Sequence, residues 1–187
     1  MTEAEIRPEE IDWRDSTFQI TCGRPLEPLR RSIQALGVRQ TPVLQPLPSG
    51  RLRIVSGRRR LLIVKAMAAG AVTVRLAAPD EPAAGLFLFN FHDHLGSREF
   101  NAVEQALTLR GLRRYFSEEE VIRSYLPLVG LPPHQSILRC YAALAEVSPT
   151  FWPAFVQGRL FPETLDLLDR DLQPWTELLL TLCLSLR

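Results

Sequence analysis

The chain has 187 residues, of which 46% are hydrophobic and 23% charged, a composition typical of a globular protein. No apolar run approaches the ~20 residues that a membrane span needs. The acidic start, Met1–Glu5, does not resemble a secretory signal or a transit peptide. The three cysteines are odd in number and widely spaced, which predicts neither a disulfide framework nor a metal clip. We therefore expect a protein of a reducing cytoplasm.

Charge is distributed unevenly along the chain. The net charge is only +1. However, residues 28–79 contain no Asp or Glu and ten cations, namely Arg30, Arg31, Arg39, Arg51, Arg53, Arg58, Arg59, Arg60, Lys65 and Arg75. A cationic segment in a near-neutral chain indicates an anion-binding region.

The first half of the chain shows a mixed pattern of strands and helices. Residues 1–15 are polar and predict a flexible arm. Alternation and apolar spacing then predict, in chain order, a strand at 16–21, a helix at 25–36, a hairpin of strands at 42–47 and 52–56, a helix at 58–69 and a strand at 72–76. We expect these elements to form a small α/β domain over residues 16–97.

The second half shows only helical signals. Helices are predicted at 86–95, 101–116, 117–126, 133–145, 150–157, 162–168 and 175–186. Asn101 and Glu104 have the spacing of a capping box. The fold class is therefore α+β, with an α/β amino-terminal domain followed by an all-α domain at 98–187.

The segment Ser56–Arg60 lies between a predicted strand and a predicted helix. A glycine there lets backbone approach a ligand, and the first N–H groups of the helix have no partner within it. With the guanidinium groups of Arg58, Arg59 and Arg60, the segment has the chemistry of a phosphate site. A plain strand–helix turn with solvated arginines has the same spacing.

The segment 125–139 has the pattern of a helix-turn-helix, with a break at Val129–Pro132. Its second helix would present polar groups suited to base edges. They are His134, Gln135, Ser136 and Arg139. Ile137, Leu138, Tyr141 and Leu144 would pack inward, and a simple helical hairpin would fit the same pattern.

Two smaller features also suggest chemistry. Asp93, between His92 and His94, could hold Mg²⁺ beside a bound phosphate, or could simply lie on a polar helix end. Arg24 follows closely on Cys22 and could lower the pKa of that thiol.

Together these segments resemble the ParB-like family of DNA partition proteins. Residues 29–44 are similar to its first box, with Gly37 and Gln40 in place. Residues 55–60 resemble its Gly-x-Arg-Arg box, with Arg58 where the family usually has Glu. Residues 92–106 are similar to its Glu-Asn-x-x-Arg box, in which Asp93 replaces Glu, His94 replaces Asn and Arg98 falls one place late.

The resemblance implies a ParB/sulfiredoxin-like domain that binds CTP with Mg²⁺, followed by a helix-turn-helix that binds double-stranded DNA. It implies these nucleotide contacts: Gln40, Thr41, Gly57, Arg58, Arg59, Arg60, Asp93, His94 and Arg98, with Asp93 also the metal ligand. It further implies a nucleoid-associated cytoplasmic homodimer served by a partition ATPase, with no membrane partner. The substitutions at 58, 93 and 94 leave at most a weak CTPase.

Three hypotheses follow. The first is a ParB-like DNA-binding protein of the partition type, or a transcriptional regulator with the same fold. The second is a sulfiredoxin-like or nuclease-like enzyme, although no cysteine lies beside Arg58–Arg60 and no carboxylate cluster occurs at 28–79. The third is an interaction module that docks through the apolar segment Leu178–Leu184.

Overall fold

The computed structural model describes residues 1–68 and 70–165, together with Leu178, Thr181 and Ser185. The predicted helix at 175–186, the docking segment Leu178–Leu184 and the end of the helix at 162–168 otherwise lie outside these residues. Two compact units are present. The first comprises Met1–Gln19 and Arg24–His94, and the second comprises Ile20–Gly23 and the chain from Leu95.

The first unit is a mixed α/β fold built on a four-stranded sheet. Its strands are β1 (Thr2–Ile6), β2 (Val43–Pro46), β3 (Leu52–Ser56) and β4 (Val72–Leu76), and its helices are α1 (Glu27–Leu36), α2 (Arg58–Ala66) and α3 (Ala83–Leu95). The strand order is β1-β4-β2-β3. β1 is antiparallel to β4, β4 is parallel to β2, and β2 is antiparallel to β3. The predicted hairpin, the helices at 25–36 and 58–69 and the strand at 72–76 are thus confirmed.

One face of this sheet holds the core of the unit. Leu44, Ile54 and Val74 are buried there together with Leu61 and Val64 of α2. Along β1 and β4 the buried residues alternate with more exposed ones, whereas Val43, Leu44 and Gln45 of β2 are all buried, so the central part of the sheet is covered on both faces. The face opposite this core carries the polar groups described below.

The flexible arm predicted for residues 1–15 is wrong, because this segment is folded. Thr2–Ile6 forms the edge strand β1, and Ala4 and Ile6 pack into the core while Glu3 and Glu5 alternate with them. Further along, Ile11 is completely buried and bridges to Leu52. A five-residue edge strand with only one packed face appears polar in sequence, which is why the arm was expected.

The strand predicted at 16–21 is also absent. Phe18 and Ile20 alternate and are both buried, yet the segment is a turn and extended loop with no ladder partner. An alternating pattern shows which side chains are buried, but a strand also needs a neighbouring strand to pair with.

The second unit contains only helices among its described residues. They are α4 (Ala102–Leu112), α5 (Glu118–Glu120), which continues as a π-turn (Val121–Tyr125), α6 (Gln135–Glu146) and α7 (Trp152–Val156), with short 3₁₀ turns at Pro127–Val129 and Pro162–Leu165. The predicted capping box is confirmed, since the Asn101 side chain accepts from the Glu104 N–H and Glu104 accepts from the Asn101 N–H. None of the described helices combines the length and apolarity that a bilayer span requires.

Candidate functional site: a polar pocket on the sheet

A single row of residues crosses all four strands on the face opposite the core. Glu3 of β1 is the register partner of Arg75 of β4, Arg75 is the partner of Val43 of β2, and Val43 is the partner of Ser56 of β3. We call these four residues the cross-strand row. Partners in adjacent strands point to the same side of a sheet, so the row forms a continuous floor.

A β-bulge places Ser56 in this row. The β2–β3 register shifts between Val43 and Leu44, so Leu44 pairs with Ile54 whereas Val43 pairs with Ser56. The intervening Val55 is the extra residue and is buried. Bulges re-aim the side chains that follow them, and here the Ser56 hydroxyl is directed away from the apolar core.

The row is the floor of a cavity of about 300 Å³, which we call the sheet pocket. Its walls come from the loop before β2, the first turn of α2 and two positions one turn apart on α3. The wall residues are Gln40, Thr41, Arg60, Phe89 and Asp93. The volume is at the lower end of the range for small-molecule sites.

The start of α2 brings backbone close to the pocket wall. Gly57, its N-cap, has φ 89°, and a Cβ there would lie 2.8 Å from the Pro42 Cβ and 3.0 Å from the Pro42 Cα. Only glycine fits such a close, left-handed position without strain. No side chain caps the helix, and its first turn contains no acid. The helix therefore begins with N–H groups and positive dipole available to an anion.

Hydrogen bonds order the polar groups at this end of the pocket. The Ser56 hydroxyl donates to Asp93 Oδ2 at 2.7 Å. Arg60 Nη2 donates to Gln40 Oε1. Burial lowers the pKa of Arg60, and the nearby Asp93 carboxylate opposes that shift. Arg60 is thus a cation at the pocket wall, with Gln40 as its neutral neighbour and Asp93 as its acidic one.

A second cation lies further along the floor. The Arg75 guanidinium lies over the Phe89 ring, 5.9 Å from its centroid, a cation–π distance. Its Nε is buried and has no hydrogen-bond partner. Although Glu3 is its direct cross-strand neighbour, no ion pair joins them among the described residues. Both groups can therefore bind a molecule in the pocket.

The structure brings together only part of the site predicted from sequence. Gln40, Thr41, Arg60 and Asp93 line the pocket. Arg58 instead donates to the Trp13 and Asp15 carbonyl oxygens at 2.8 and 3.1 Å. The described part of the chain contains no cluster of three metal-ligating side chains.

Three other predicted contacts have partners outside the pocket lining. Arg59 Nη2 donates to the Pro25 carbonyl at 2.7 Å, and His94 Nδ1 lies 2.8 Å from the Asn90 carbonyl. Arg98 belongs to the second unit, where it donates to Glu104 Oε1 at 2.5 Å and to Thr21 Oγ1 at 3.1 Å. Their assignment as nucleotide contacts stays a prediction.

Sequence reasoning missed five lining residues: Glu3, Val43, Ser56, Arg75 and Phe89. The sequence predicts an arm at Glu3 and a strand–helix turn at Ser56. Arg75 belongs to the cationic segment, but its position in the site depends on strand register. Register is set by long-range pairing, so no local signal identifies these residues as neighbours.

The thiol prediction for Cys22 is wrong in direction. Burial and the nearby Glu104 carboxylate raise the pKa of Cys22 rather than lower it. Asn101 donates to the Cys22 carbonyl at 3.0 Å, so this segment is fixed to the start of α4. A half-buried neutral thiol is a poor nucleophile.

In the second unit, the predicted reading helix is α6. Its apolar side is packed as expected, with Leu138, Tyr141 and Leu144 buried and Ile137 partly buried. Burial, with smaller effects of Glu163 and Cys140, raises the pKa of Tyr141 to about 12, so this phenol stays neutral in the core.

The polar residues of α6 lie at its beginning and along its exposed side. His134 is the N-cap, and Gln135 and Arg139 are exposed. Gln135 Nε2 donates to Glu118 Oε1 at 3.2 Å, and the Ser136 hydroxyl lies 3.5 Å from His134 Nδ1. Gly130, with φ 78°, ends the preceding 3₁₀ turn. The four predicted DNA contacts are thus brought to one helix terminus or its outer face.

The sequence matches no protein-family model and no curated protein. Among solved structures, the chain is similar to a C-terminally truncated chromosome-partitioning protein ParB from Caulobacter crescentus complexed with CTP-gamma-S, at 20% identity and TM-score 0.44, covering 95% of this chain and 98% of that one. It is also similar to the same truncated protein complexed to the centromeric parS site, at 18% identity and TM-score 0.46, covering 85% and 80%.

Proposed function

We propose that this chain is a nucleoside-triphosphate-binding, DNA-binding protein of the ParB-like partition type. The observation that carries the proposal is the sheet pocket, in which Arg60 and the Ser56 hydroxyl, on either side of the uncapped first residues of α2, lie beside Gln40 and Asp93. The order of the three family-like sequence motifs adds to it, because the pocket takes residues from each motif.

The triphosphate binds at the α2 end of the pocket. The Arg60 guanidinium supplies charge-assisted donors, and the backbone N–H groups after Gly57 supply neutral ones. Gln40, which accepts from Arg60, and Thr41 line the pocket beside it. Arg58 and Arg59, which hold backbone carbonyls, steady the first turn of α2 from which Arg60 projects.

The residues present also fit a magnesium ion bound together with the phosphates. Mg²⁺ typically takes one or two protein carboxylates and completes its shell with phosphate oxygens and water. Asp93 is the carboxylate that lies beside Ser56 and Arg60, so it would be the protein ligand. The ion would supply charge neutralisation of the phosphates.

The DNA contact is made by α6. His134, Gln135, Ser136 and Arg139 contact base edges or phosphates, and the protein acts as a homodimer on a palindromic site, with a partition ATPase as partner. The exposure of Gln135 and Arg139 beside a packed apolar side supports this assignment. Nucleoid-associated cytoplasmic localisation goes with this function.

The nucleotide half is tested by calorimetry with CTP, GTP, ATP and UTP in the presence of Mg²⁺. Arg60→Ala is expected to weaken binding by about 1.5–3 kcal/mol, or roughly 10- to 150-fold, the value of a lost charge-assisted hydrogen bond. Arg59→Ala, one position earlier on the same turn, serves as a matched variant and is expected to have a smaller effect. Equal losses, or no binding of any nucleotide by the unaltered protein, would contradict the proposal.

The DNA half is tested by fluorescence polarisation against genomic fragments at several salt concentrations. Affinity is expected to fall steeply with salt, since phosphate contacts release counterions. Arg139→Gln is expected to relax sequence preference more than total affinity. Arg114→Gln, another exposed arginine of the same unit, is the control and should leave the preference intact. Salt-independent binding, or an unchanged preference in Arg139→Gln, would remove α6 from the recognition role.

A further inference from the structure

A short acidic segment adjoins the predicted reading helix α6. It is α5, which consists of Glu118, Glu119 and Glu120, and all three side chains are exposed. A carboxylate beside a helix that approaches DNA repels the phosphates, so it lowers affinity unless it has another role. The contacts of Glu118 differ from those of its neighbour, and they point to such a role.

Glu118 connects two groups that belong to other elements of the second unit. Its Oε1 accepts from Nε2 of Gln135, the first residue of α6, at 3.2 Å. Its Oε2 lies 3.8 Å from Nη2 of Arg113, the residue that ends α4. The next carboxylate, Glu119, pairs instead with Arg123 one turn later in the same helical segment, at 3.5 Å. Of these two carboxylates, Glu118 is therefore the one bonded to α6 in the described part of the chain.

The contact with Glu118 fixes the orientation of the Gln135 amide. An ionised carboxylate only accepts hydrogen bonds, so it holds the NH₂ end of the amide and turns the carbonyl oxygen away. One N–H of Nε2 is then engaged, whereas Oε1 remains an acceptor at the exposed start of α6. A glutamine without such a neighbour can rotate its amide and present either end to a base.

We propose that Glu118 is a positioning residue for DNA recognition, and that it makes Gln135 select a base with an amino group in the major groove. This inference rests on the proposed binding of DNA by α6 and adds a residue that lies outside that helix. Adenine N6 and cytosine N4 present amino donors in the major groove, whereas guanine O6 and thymine O4 are acceptors. The Gln135 carbonyl oxygen, turned outward, accepts from either amino group but would face another acceptor in guanine or thymine.

The test is in vitro selection from a library of DNA duplexes with a randomised central segment, followed by sequencing of the bound fraction. The unaltered chain is expected to select adenine or cytosine over guanine and thymine at one position of each half-site, by about tenfold, within the range of a specific base contact. Gln135→Ala and Glu118→Gln should each remove most of this preference at that position. The amide introduced by Glu118→Gln both donates and accepts, so it no longer dictates which end of Gln135 faces the base.

Glu119→Gln is the matched control. It removes the same charge from the adjacent residue, so both glutamate variants lessen the repulsion of phosphates and should raise affinity for unselected DNA by a similar factor. Glu119→Gln should nevertheless keep the base preference. Glu118→Gln combined with Gln135→Ala should lose no more preference than Gln135→Ala alone, because the two residues act as one unit. All three side chains are exposed, and thermal melting checks that each variant stays folded.

The outcomes separate this inference from the function on which it rests. Loss of preference in Gln135→Ala but not in Glu118→Gln, or an equal loss in Glu118→Gln and Glu119→Gln, would overturn the positioning role while leaving recognition by α6 in place. A preference for guanine or thymine at the Gln135 position would likewise overturn it. A selection that enriches no sequence from the library would overturn both the positioning role and the proposed recognition of DNA by α6.

Discussion

Replacing Arg98 by methionine should destabilise the second unit strongly and leave nucleotide affinity unchanged. Arg98 donates to Glu104 Oε1 at 2.5 Å, and their side chains are 16% and 0% exposed. Glu104 also accepts from the Cys22 N–H at 3.3 Å and the Asn101 N–H at 3.2 Å. Arg98→Met therefore removes this ion pair from a fully buried carboxylate.

The expected loss is about 3–5 kcal/mol in the free energy of unfolding, the usual cost of removing one member of a buried ion pair. Proteins of ordinary stability have only about 5–15 kcal/mol in total. With a urea m-value of roughly 1–3 kcal/mol per molar, the midpoint should fall by about 1–5 M. Circular dichroism during urea titration measures this shift.

A surface pair provides the control. Arg113 Nη2 lies 3.8 Å from Glu118 Oε2, and the two side chains are 43% and 45% exposed. Arg113→Met should therefore lower the free energy of unfolding by no more than about 1 kcal/mol. Adding Glu104→Gln to Arg98→Met should recover part of the loss, because the buried group is then neutral. A loss below about 1 kcal/mol in Arg98→Met would refute the reasoning. Weakened nucleotide binding at unchanged stability would support the family-derived role of Arg98 instead.

Three further substitutions test how the site and its supports are built. Gly57→Ala should lower the free energy of unfolding by about 2–4 kcal/mol in a melting experiment, because the left-handed backbone and the Pro42 contact both resist a Cβ. Gly50→Ala is the control: its φ is also positive, at 78°, but a Cβ there meets open space, so it should cost only about 1 kcal/mol. Burial raises the pKa of Asp15, but hydrogen bonds from Thr17 and Arg53 outweigh it and lower the pKa overall. That carboxylate therefore stabilises the fold above pH ~4, and the contribution disappears as pH falls through its lowered folded-state pKa; Asp15→Asn should flatten this acid limb of the stability profile, and an unchanged limb would contradict the assignment. Asn101→Ala should cost about 0.5–2 kcal/mol through loss of the α4 cap, measured by thermal melting, and a neutral result would mean that the cap contributes nothing.

The elements that sequence predicted correctly are those with strong local signals. The turn residues at 47–51 predict the hairpin of β2 and β3. Gly57 and the apolar residues that follow the arginines predict the start and the body of α2. The failures involve long-range pairing. β1 has one packed face of two residues and gains its identity only by pairing with β4. Conversely, residues 16–21 alternate without any strand to pair with.

The candidate site shows the same division. Gln40, Arg60 and Asp93 lie in segments that resemble family boxes, so the resemblance predicts them as site residues, and all three line the pocket. Arg58, one position from the glycine of the second box, was expected at the phosphates because its spacing is right. The structure instead gives it backbone acceptors at Trp13 and Asp15, which belong to the segment predicted as an arm. Because a flexible arm offers no fixed acceptors, the arm prediction leaves Arg58 free to face the phosphates, whereas in the structure the folded arm binds its guanidinium.

The bulge at β2–β3 links these observations. In a regular antiparallel ladder, alternation would place Ser56 on the same face as Ile54, toward the apolar core, and Val55 on the pocket face. The extra residue reverses this for Ser56, so that its hydroxyl reaches Asp93 and Val55 stays buried. The Gly-x-Arg-Arg segment thus depends on an irregularity two residues before it. Deleting Val55 would let Ser56 follow Ile54 directly, so a regular ladder would still pair Ser56 with Val43 on the pocket face, and the Ser56–Asp93 contact is expected to persist.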